Sequence, residues 1–315
     1  MRGLVIRPLT EGDLPEADRI NRIAFGTFFD LADPKKFRGD GDAVHGRFHA
    51  NPGGAFAADL GGRLVACGFV MNWGGTGILG PLTVDVEYWG KGIARDMMEA
   101  LTGYMDTCGF SLQALFTHPQ SAKHIRLYEQ FGFWMQRVTA VMEKSVDLSR
   151  RLPPDLVRFS SLNGVERDGV LKQCSDITDR IYPGLDLSGE IQAIEKYGFG
   201  DTIILRVGAG VTGFACCHQG AMSEAGSGQT VVKFAAVSPG GAAPRNFGRL
   251  VDACERFAAL RGTTRLVAGT NTGRSDCYEA LLALGFRTWM NGIAMMKPDN
   301  PGYNVPGTFV IDDWR

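Results

Sequence analysis

The sequence predicts an α+β protein in which one plan of strands and helices is written twice. Three observations lead there. Short strand patterns alternate with amphipathic helix patterns along the whole chain, residues 78–142 align without a gap on 231–295, and a proline-centred segment separates the two copies. With 315 residues, 44% of them hydrophobic and 21% charged, there is enough chain of ordinary composition for two cores.

The elements follow in order. Val5 to Arg7 reads as a short strand. Asp13 followed by Glu16, with Pro15 between them, has the pattern of a capping box, and a helix runs from there to about Phe25. Residues 30–54 are polar and Gly-rich, which predicts a mobile stretch with a short helix near Val44 to His49. Ala55 to Asp59 and Arg63 to Asn72 read as strands joined at Gly61-Gly62, and Gly77 to Val86 as a third. Ile93, Met97, Leu101, Met105 and Cys108 then form one apolar stripe of a helix that Gly109 closes. Leu112 to Thr117 is a buried strand, Ser121 to Gln130 a short helix stopped by Gly132, and Phe133 to Lys144 a last strand. Arg150 to Asp155, with Pro153-Pro154, reads as a linker.

Composition narrows the function classes. Lys+Arg 33 against Asp+Glu 34 leaves no basic field for a phosphate backbone, so nucleic acid is not an expected partner. The longest apolar runs fall well short of the roughly 18 residues that span a bilayer, and no signal-peptide pattern opens the chain, so no membrane is expected. The 7 cysteines have no recurring spacing, which fits reduced thiols and a cytoplasmic location. Cys216 and Cys217 are neighbours on a strand and point to opposite faces, a packing pattern and not a shared metal. His45 and His49 are spaced for one helix face but lack a third ligand, so no metal is expected.

The repeat has an offset of 153 residues. Val84 falls on Val237, Leu101 on Cys254, Gly109 on Gly262, Phe131-Gly132-Phe133 on Leu284-Gly285-Phe286, and Met142 on Met295. What differs is the turn into the long helix. Trp89-Gly90-Lys91-Gly92-Ile93-Ala94 in the first copy faces Ala242-Ala243-Pro244-Arg245-Asn246-Phe247 in the second, while Tyr128 faces Leu281 and His118 faces Asn271. The chemistry is therefore expected in the first copy. There, a strand runs through a glycine turn into a helix N-terminus, where free N–H groups and the helix dipole favour an anion. Gly90, Gly92 and Ala94 leave the backbone approachable, and Lys91 and Arg95 add positive charge.

These residues resemble the GNAT acetyltransferase superfamily. The resemblance rests on Ile6-Arg7-Pro8-Leu9-Thr10, on Val84, Glu87-Tyr88 and Gly90 to Ala94, and on Leu127-Tyr128 with Gly132-Phe133. Trp89 departs from the family's Arg or Gln, and Ser121 stands for its usual Asn. The resemblance covers 1–145 well and 156–297 more faintly. It implies two tandem GNAT-like domains, each a mixed twisted sheet flanked by helices: 1–149 catalytic, 150–297 degenerate, and 298–315 a strand-like tail. It also implies acetyl-CoA as cosubstrate and an amine on a small molecule or peptide as acceptor. The backbone of Leu82, Thr83 and Val84 would take the pantetheine arm. Trp89, Gly90, Lys91, Gly92, Ile93, Ala94, Arg95 and Ser121 would complete the donor site. Tyr128 would protonate the leaving thiolate and His118 would relay the amine's proton. Asp85 and Glu87 are further candidate bases, with Asp85 expected to face solvent, and Gly77 to Val84 carries no acid. The alternatives are a non-catalytic acyl-CoA sensor and a transferase using another acyl donor.

The tail is expected to dock. Its prolines and glycines forbid a helix, and Thr308 to Ile311 would be an aggregation-prone edge if left exposed. It is expected to close a sheet edge or lie between the copies. In the second case Asp312, Asp313 or the terminal carboxylate would reach the acceptor cleft and bind a cationic amine; the alternative is a purely structural strap.

Overall fold

The computed structural model describes residues 3–151, 156–208 and 210–315, so Pro153-Pro154 of the expected linker lie outside the described residues. The first half contains β1 (Leu4–Pro8), α1 (Leu14–Phe28), α2 (Ala43–Ala50), β2 (Ala55–Leu60), β3 (Arg63–Trp73), β4 (Thr76–Val84), α3 (Ile93–Cys108), β5 (Leu112–Thr117), α4 (Ala122–Glu129) and β6 (Trp134–Ser145). The second contains β7 (Val157–Arg158), α5 (Gly164–Ile181), α6 (Ser188–Tyr197), β8 (Gly200–Val207), β9 (Gly210–Gly220), β10 (Gly226–Val237), α7 (Ala243–Leu260), β11 (Arg265–Asn271), α8 (Ser275–Ala283) and β12 (Arg287–Lys297), and the tail adds β13 (Val310–Ile311).

The helix starts follow local chemistry, with one correction. The capping box belongs to Thr10 and Asp13, which close a short 3-10 turn at 11–13, and α1 begins one residue later with Pro15 in its first turn. Glu16 pairs instead with Arg19 at 2.7 Å. Asp42 caps α2 by accepting from the His45 N–H at 3.0 Å. Residues 37–41 are pinned rather than loose: the Arg22 guanidinium donates to the carbonyls of Phe37, Gly39 and Gly41 at 2.9, 2.7 and 2.7 Å. A strong donor shared among three carbonyls holds this loop, where composition alone suggested mobility.

All strands join one sheet in the order β1-β2-β3-β4-β5-β12-β6-β11-β10-β9-β8-β7, with β13 on β10. The middle of this order is the informative part. β12, the last strand of the second copy, pairs antiparallel with β5 of the first, Ala294 opposite Phe116. β6, the last strand of the first copy, pairs with β11 of the second, Ala268 opposite Met142. The copies thus exchange their final strands, and β12 and β6 pair with each other at the seam. The core is shared accordingly: Trp73, Ile78 and Leu112 pack with Ile191, Phe214, Phe234 and Met296 in one buried cluster. Cys216 and Cys217 do face opposite sides of the sheet, each in a different cluster. No described helix is long and apolar enough to cross a membrane.

Candidate functional site

β4 and β5 run parallel for only four residue pairs, from Thr76 opposite Leu112 to Leu79 opposite Leu115. A register shift against β3, between Val70–Leu79 and Gly68–Leu82, then lifts Gly80-Pro81 out of the ladder. Beyond it, Leu82, Thr83 and Val84 keep their pairing with β3 but have no strand on the β5 side among the described residues. This is an open backbone edge in the middle of a sheet, and peptide groups there call for a partner. The Thr83 side chain is buried against Cys67 at 3.3 Å, so it is the backbone that faces the gap.

The edge leads into the glycine turn. Asp85 does not face solvent: it is 2% exposed, accepts from Arg19 at 2.6 Å and from the Glu87 N–H at 3.1 Å, and so fixes the turn. Trp89 donates its indole N–H to the Val84 carbonyl at 2.7 Å. Gly90 and Gly92 have φ of 76° and 87°, and open space lies where a Cβ would be. Gly92 is the N-cap of α3 and offers no capping side chain, so the first N–H groups of the helix stay available to an anion. Lys91 lies 4.7 Å from the Tyr88 ring centroid, and Arg95 is exposed beside Glu99.

Open edge, turn and the start of α4 line one cavity of about 1030 Å³. Leu82, Thr83, Val84, Trp89, Gly90, Lys91, Gly92, Ile93, Ala94, Arg95, Ser121, His118 and Tyr128 all border it. Burial pushes the Tyr128 phenol up to about 12, and its hydroxyl has no hydrogen-bond partner among the described residues. A phenol held there stays protonated through neutral pH and is able to donate. His118 sits among rings, 5.0 Å from Phe29, 5.3 Å from Phe28 and 5.4 Å from Phe116. Burial, with help from His124 and Arg315, lowers it to about 4, so the imidazole is neutral and able to accept.

A testable consequence concerns pH. The unfolded chain binds a proton on this histidine near pH 6.5, whereas the folded chain does so only near 4. The stability that neutral His118 contributes is therefore complete above pH 6.5 and lost as pH falls toward 4. Urea unfolding of wild type and His118→Gln at pH 7 and pH 5 should show the wild type losing more on acidification; equal losses would contradict a buried neutral ring.

The sequence reading missed half of the cavity. Phe25, Phe28, Phe29 and Phe37 form an aromatic wall, with Phe25 and Phe37 stacked at 5.3 Å. Four phenylalanines within 13 positions were the available signal. Opposite lies a buried ionic cluster built across both halves. Arg47 of α2 donates to Glu224 at 2.5 Å and to the Gly80 carbonyl at 3.0 Å, and Lys233 of β10 donates to Glu224 at 2.6 Å. Burial opposes ionisation of Glu224, but Arg47 and Lys233 outweigh it and hold its carboxyl well below the ordinary range. A single charge inside Val231-Val232-Lys233-Phe234 was the only hint of this in the sequence. Among the tail residues, Asp313 borders the cavity but Asp312 does not. His45 and His49 are engaged elsewhere: His45 with Asp42 at 2.6 Å, and His49 stacked on Tyr197 at 4.1 Å.

Comparison with known proteins adds to this geometry. A family model described as Acetyltransferase (GNAT) family matches residues 18–133. A solved structure from Pyrococcus horikoshii superposes on 100% of this chain and 96% of its own, with TM-score 0.71 and 14% identity. A GCN5-related N-acetyltransferase from Sphaerobacter thermophilus covers 94% of this chain and 96% of its own, with TM-score 0.59 and 13% identity. One from Anabaena variabilis covers 94% and 73%, with TM-score 0.54 and 14% identity. At such identities the likeness is one of fold, and it extends through both halves. No curated protein matches the chain.

Proposed function

We propose that the chain, whose residues 18–133 match a GNAT acetyltransferase family model, is an acetyl-CoA-dependent N-acetyltransferase acting on an amine of a small molecule or peptide, in the cytoplasm. The observation that carries the reading is the continuity of the open Leu82–Val84 edge with the uncapped N-terminus of α3 in one cavity. A donor with an amide-bearing arm and a diphosphate fits that pair of features, because one offers strand-like hydrogen bonding and the other N–H groups with a favourable dipole. The open space at Gly90 and Gly92 fits a bulky anion.

In this reading the backbone of 82–84 holds the arm and the turn 90–95 the pyrophosphate, with Trp89 and Ser121 beside them. The donor supplies an activated acyl group. The amine nitrogen forms a bond to the acyl carbon, the carbon–sulfur bond breaks, and the Tyr128 hydroxyl gives its proton to the departing sulfur. His118 takes the proton released by the nitrogen. Orientation in a shared cavity supplies much of the rate, with no covalent enzyme intermediate. In this reading 1–149 is the catalytic domain, 150–297 the degenerate copy that forms the far wall of the cavity, and 298–315 a tail outside the repeat.

A second reading, an acyl-CoA-binding sensor, draws on Trp89, whose indole is tied back to Val84 where relatives carry Arg or Gln. Release of CoA thiol from acetyl-CoA over a panel of amines separates the two readings. Calorimetry tests the donor site itself. One acetyl-CoA per chain is expected, because Pro244 removes an N–H from the second turn. Gly92→Glu should weaken binding by about tenfold or more through charge and bulk at a positive φ. Two equal sites, or unaltered affinity in Gly92→Glu, would reject the assignment.

A further inference from the structure

The second copy has its own opening between parallel strands, and it is filled. β10 and β11 part after Val232 opposite Ala268, the places that correspond through the repeat to Leu79 and Leu115. Where the first copy leaves Leu82 and Thr83 open, the second pairs Ala235 with Ile311 and Ala236 with Val310 of β13. The chain's own tail is an added strand in the groove equivalent to the donor groove. Its side chains complete the fit. Val310 and Ile311 are buried, and Phe309 meets Phe247, the counterpart of Ala94, at 5.3 Å. Arg274, the counterpart of Ser121, donates to the Asp312 carboxylate at 2.8 Å and to its carbonyl at 3.0 Å. Tyr303 donates to the other Asp312 oxygen at 2.6 Å, and the Trp314 indole donates to the Tyr303 hydroxyl at 3.0 Å.

From this anchorage the chain crosses into the first copy's cavity. Asp313 lies against Gly269 of β11 so closely that no Cβ fits there. Asp313 and Arg315 pair at 2.9 Å. The Arg315 carbonyl accepts from Arg47 and, at 3.5 Å, from Lys233. Arg47 also holds the Gly80 carbonyl, at the point where β4 leaves β5.

We propose that residues 309–315 are a strap that uses the second copy's groove as its anchor and forms the acceptor side of the first copy's cavity, with Asp313 and Arg315 as specificity-determining residues and Gly269 and Arg274 as positioning residues. The acceptor side it builds is ionic, with Arg47, Lys233 and Arg315 interleaved with Glu224 and Asp313. The proposal rests on the donor assignment above for what lies on the other side of the cavity.

Gly269→Val pushes on Asp313 from outside the first copy, Phe309→Ala loosens the anchor, and Asp313→Asn keeps the shape while removing the charge. All three should bind acetyl-CoA with wild-type affinity by calorimetry. With an amine that wild type acetylates, all three should raise acceptor KM roughly tenfold, the loss of one charge-assisted contact, with a smaller change in kcat. Hydrogen exchange should quicken in Gly269→Val and Phe309→Ala both at 309–315 and at 38–50, the segment bearing Arg38 and Arg47. Faster exchange confined to 309–315, with acceptor KM unchanged, would overturn the proposal and leave the strap a purely structural filler. If Gly269→Val does not fold, Phe309→Ala and Asp313→Asn decide by the same readings. If wild type binds no acetyl-CoA, the donor assignment fails, and the exchange pattern at 38–50 still judges the strap.

Discussion

Tyr128→Phe is expected to lower kcat by roughly 10²–10⁴-fold, the range for losing a general acid, while acetyl-CoA affinity changes little. The phenyl ring keeps the packing that Tyr128 makes with the core of the first copy, so Tm should hold. Only the hydroxyl is lost, and among the described residues it has no hydrogen-bond partner whose loss could disturb the structure. With the phenol raised to about 12 by burial, it stays protonated through neutral pH, so wild type should show no activity loss from its titration between pH 7 and 9. A kcat that survives the substitution would remove Tyr128 from the chemistry and favour the sensor reading.

Asp312→Asn is expected to act on stability instead. Asp312 and Arg274 are each 1% exposed at the side chain, and the neutral variant leaves the guanidinium buried without its counter-charge. Breaking a buried pair from one side costs about 3–5 kcal/mol. That corresponds to a fall in Tm of roughly 5–10 °C for a chain of this size. Acetyl-CoA affinity should not change, since neither residue borders the first cavity. The double variant Arg274→Met with Asp312→Leu should recover much of the loss, because an apolar pair of similar volume avoids the desolvation cost. An unchanged Tm in Asp312→Asn would mean that the tail is not anchored by this pair. Asp313, one residue on, should behave oppositely, affecting acceptor KM and not Tm.

Much of the glycine turn and its flanking strand and helix was legible in the sequence because these are built from local signals. Gly90 and Gly92 sit between a strand and an apolar stripe at helical spacing, and backbone geometry there follows from neighbours in the chain. β5 and α4 fall within a residue of their predicted bounds for the same reason. The repeat shows as an offset that never changes between 78 and 142, and in the second turn Pro244 and Phe247 stand where the first has Lys91 and Ala94. The docking of the tail also followed from composition, since an exposed Phe309-Val310-Ile311 edge is a liability.

Other features depend on which distant segments meet. Asp85 looked solvent-facing from its neighbours, yet Arg19, 66 positions away, holds it buried. The loop at 37–41 is held by Arg22, from 15 or more positions away, in addition to its own turn bonds. Arg47, Glu224 and Lys233 come together across 177 and 9 positions, and no spacing rule encodes such a cluster. The exchange of β6 and β12 is the largest case. Either strand's alternation fits either half of the sheet, so periodicity specifies that each is a strand but not which copy it completes. That choice, like the tail's choice of Ala235 and Ala236 as partners, is made by long-range pairing and shared burial. The sequence by itself determined the elements, the repeat and the glycine turn into α3, because each depends on dihedral preferences and burial patterns over a few residues. The tertiary structure decided the ionic side of the cavity, because it is assembled from side chains that only long-range strand pairing brings within a hydrogen bond of one another.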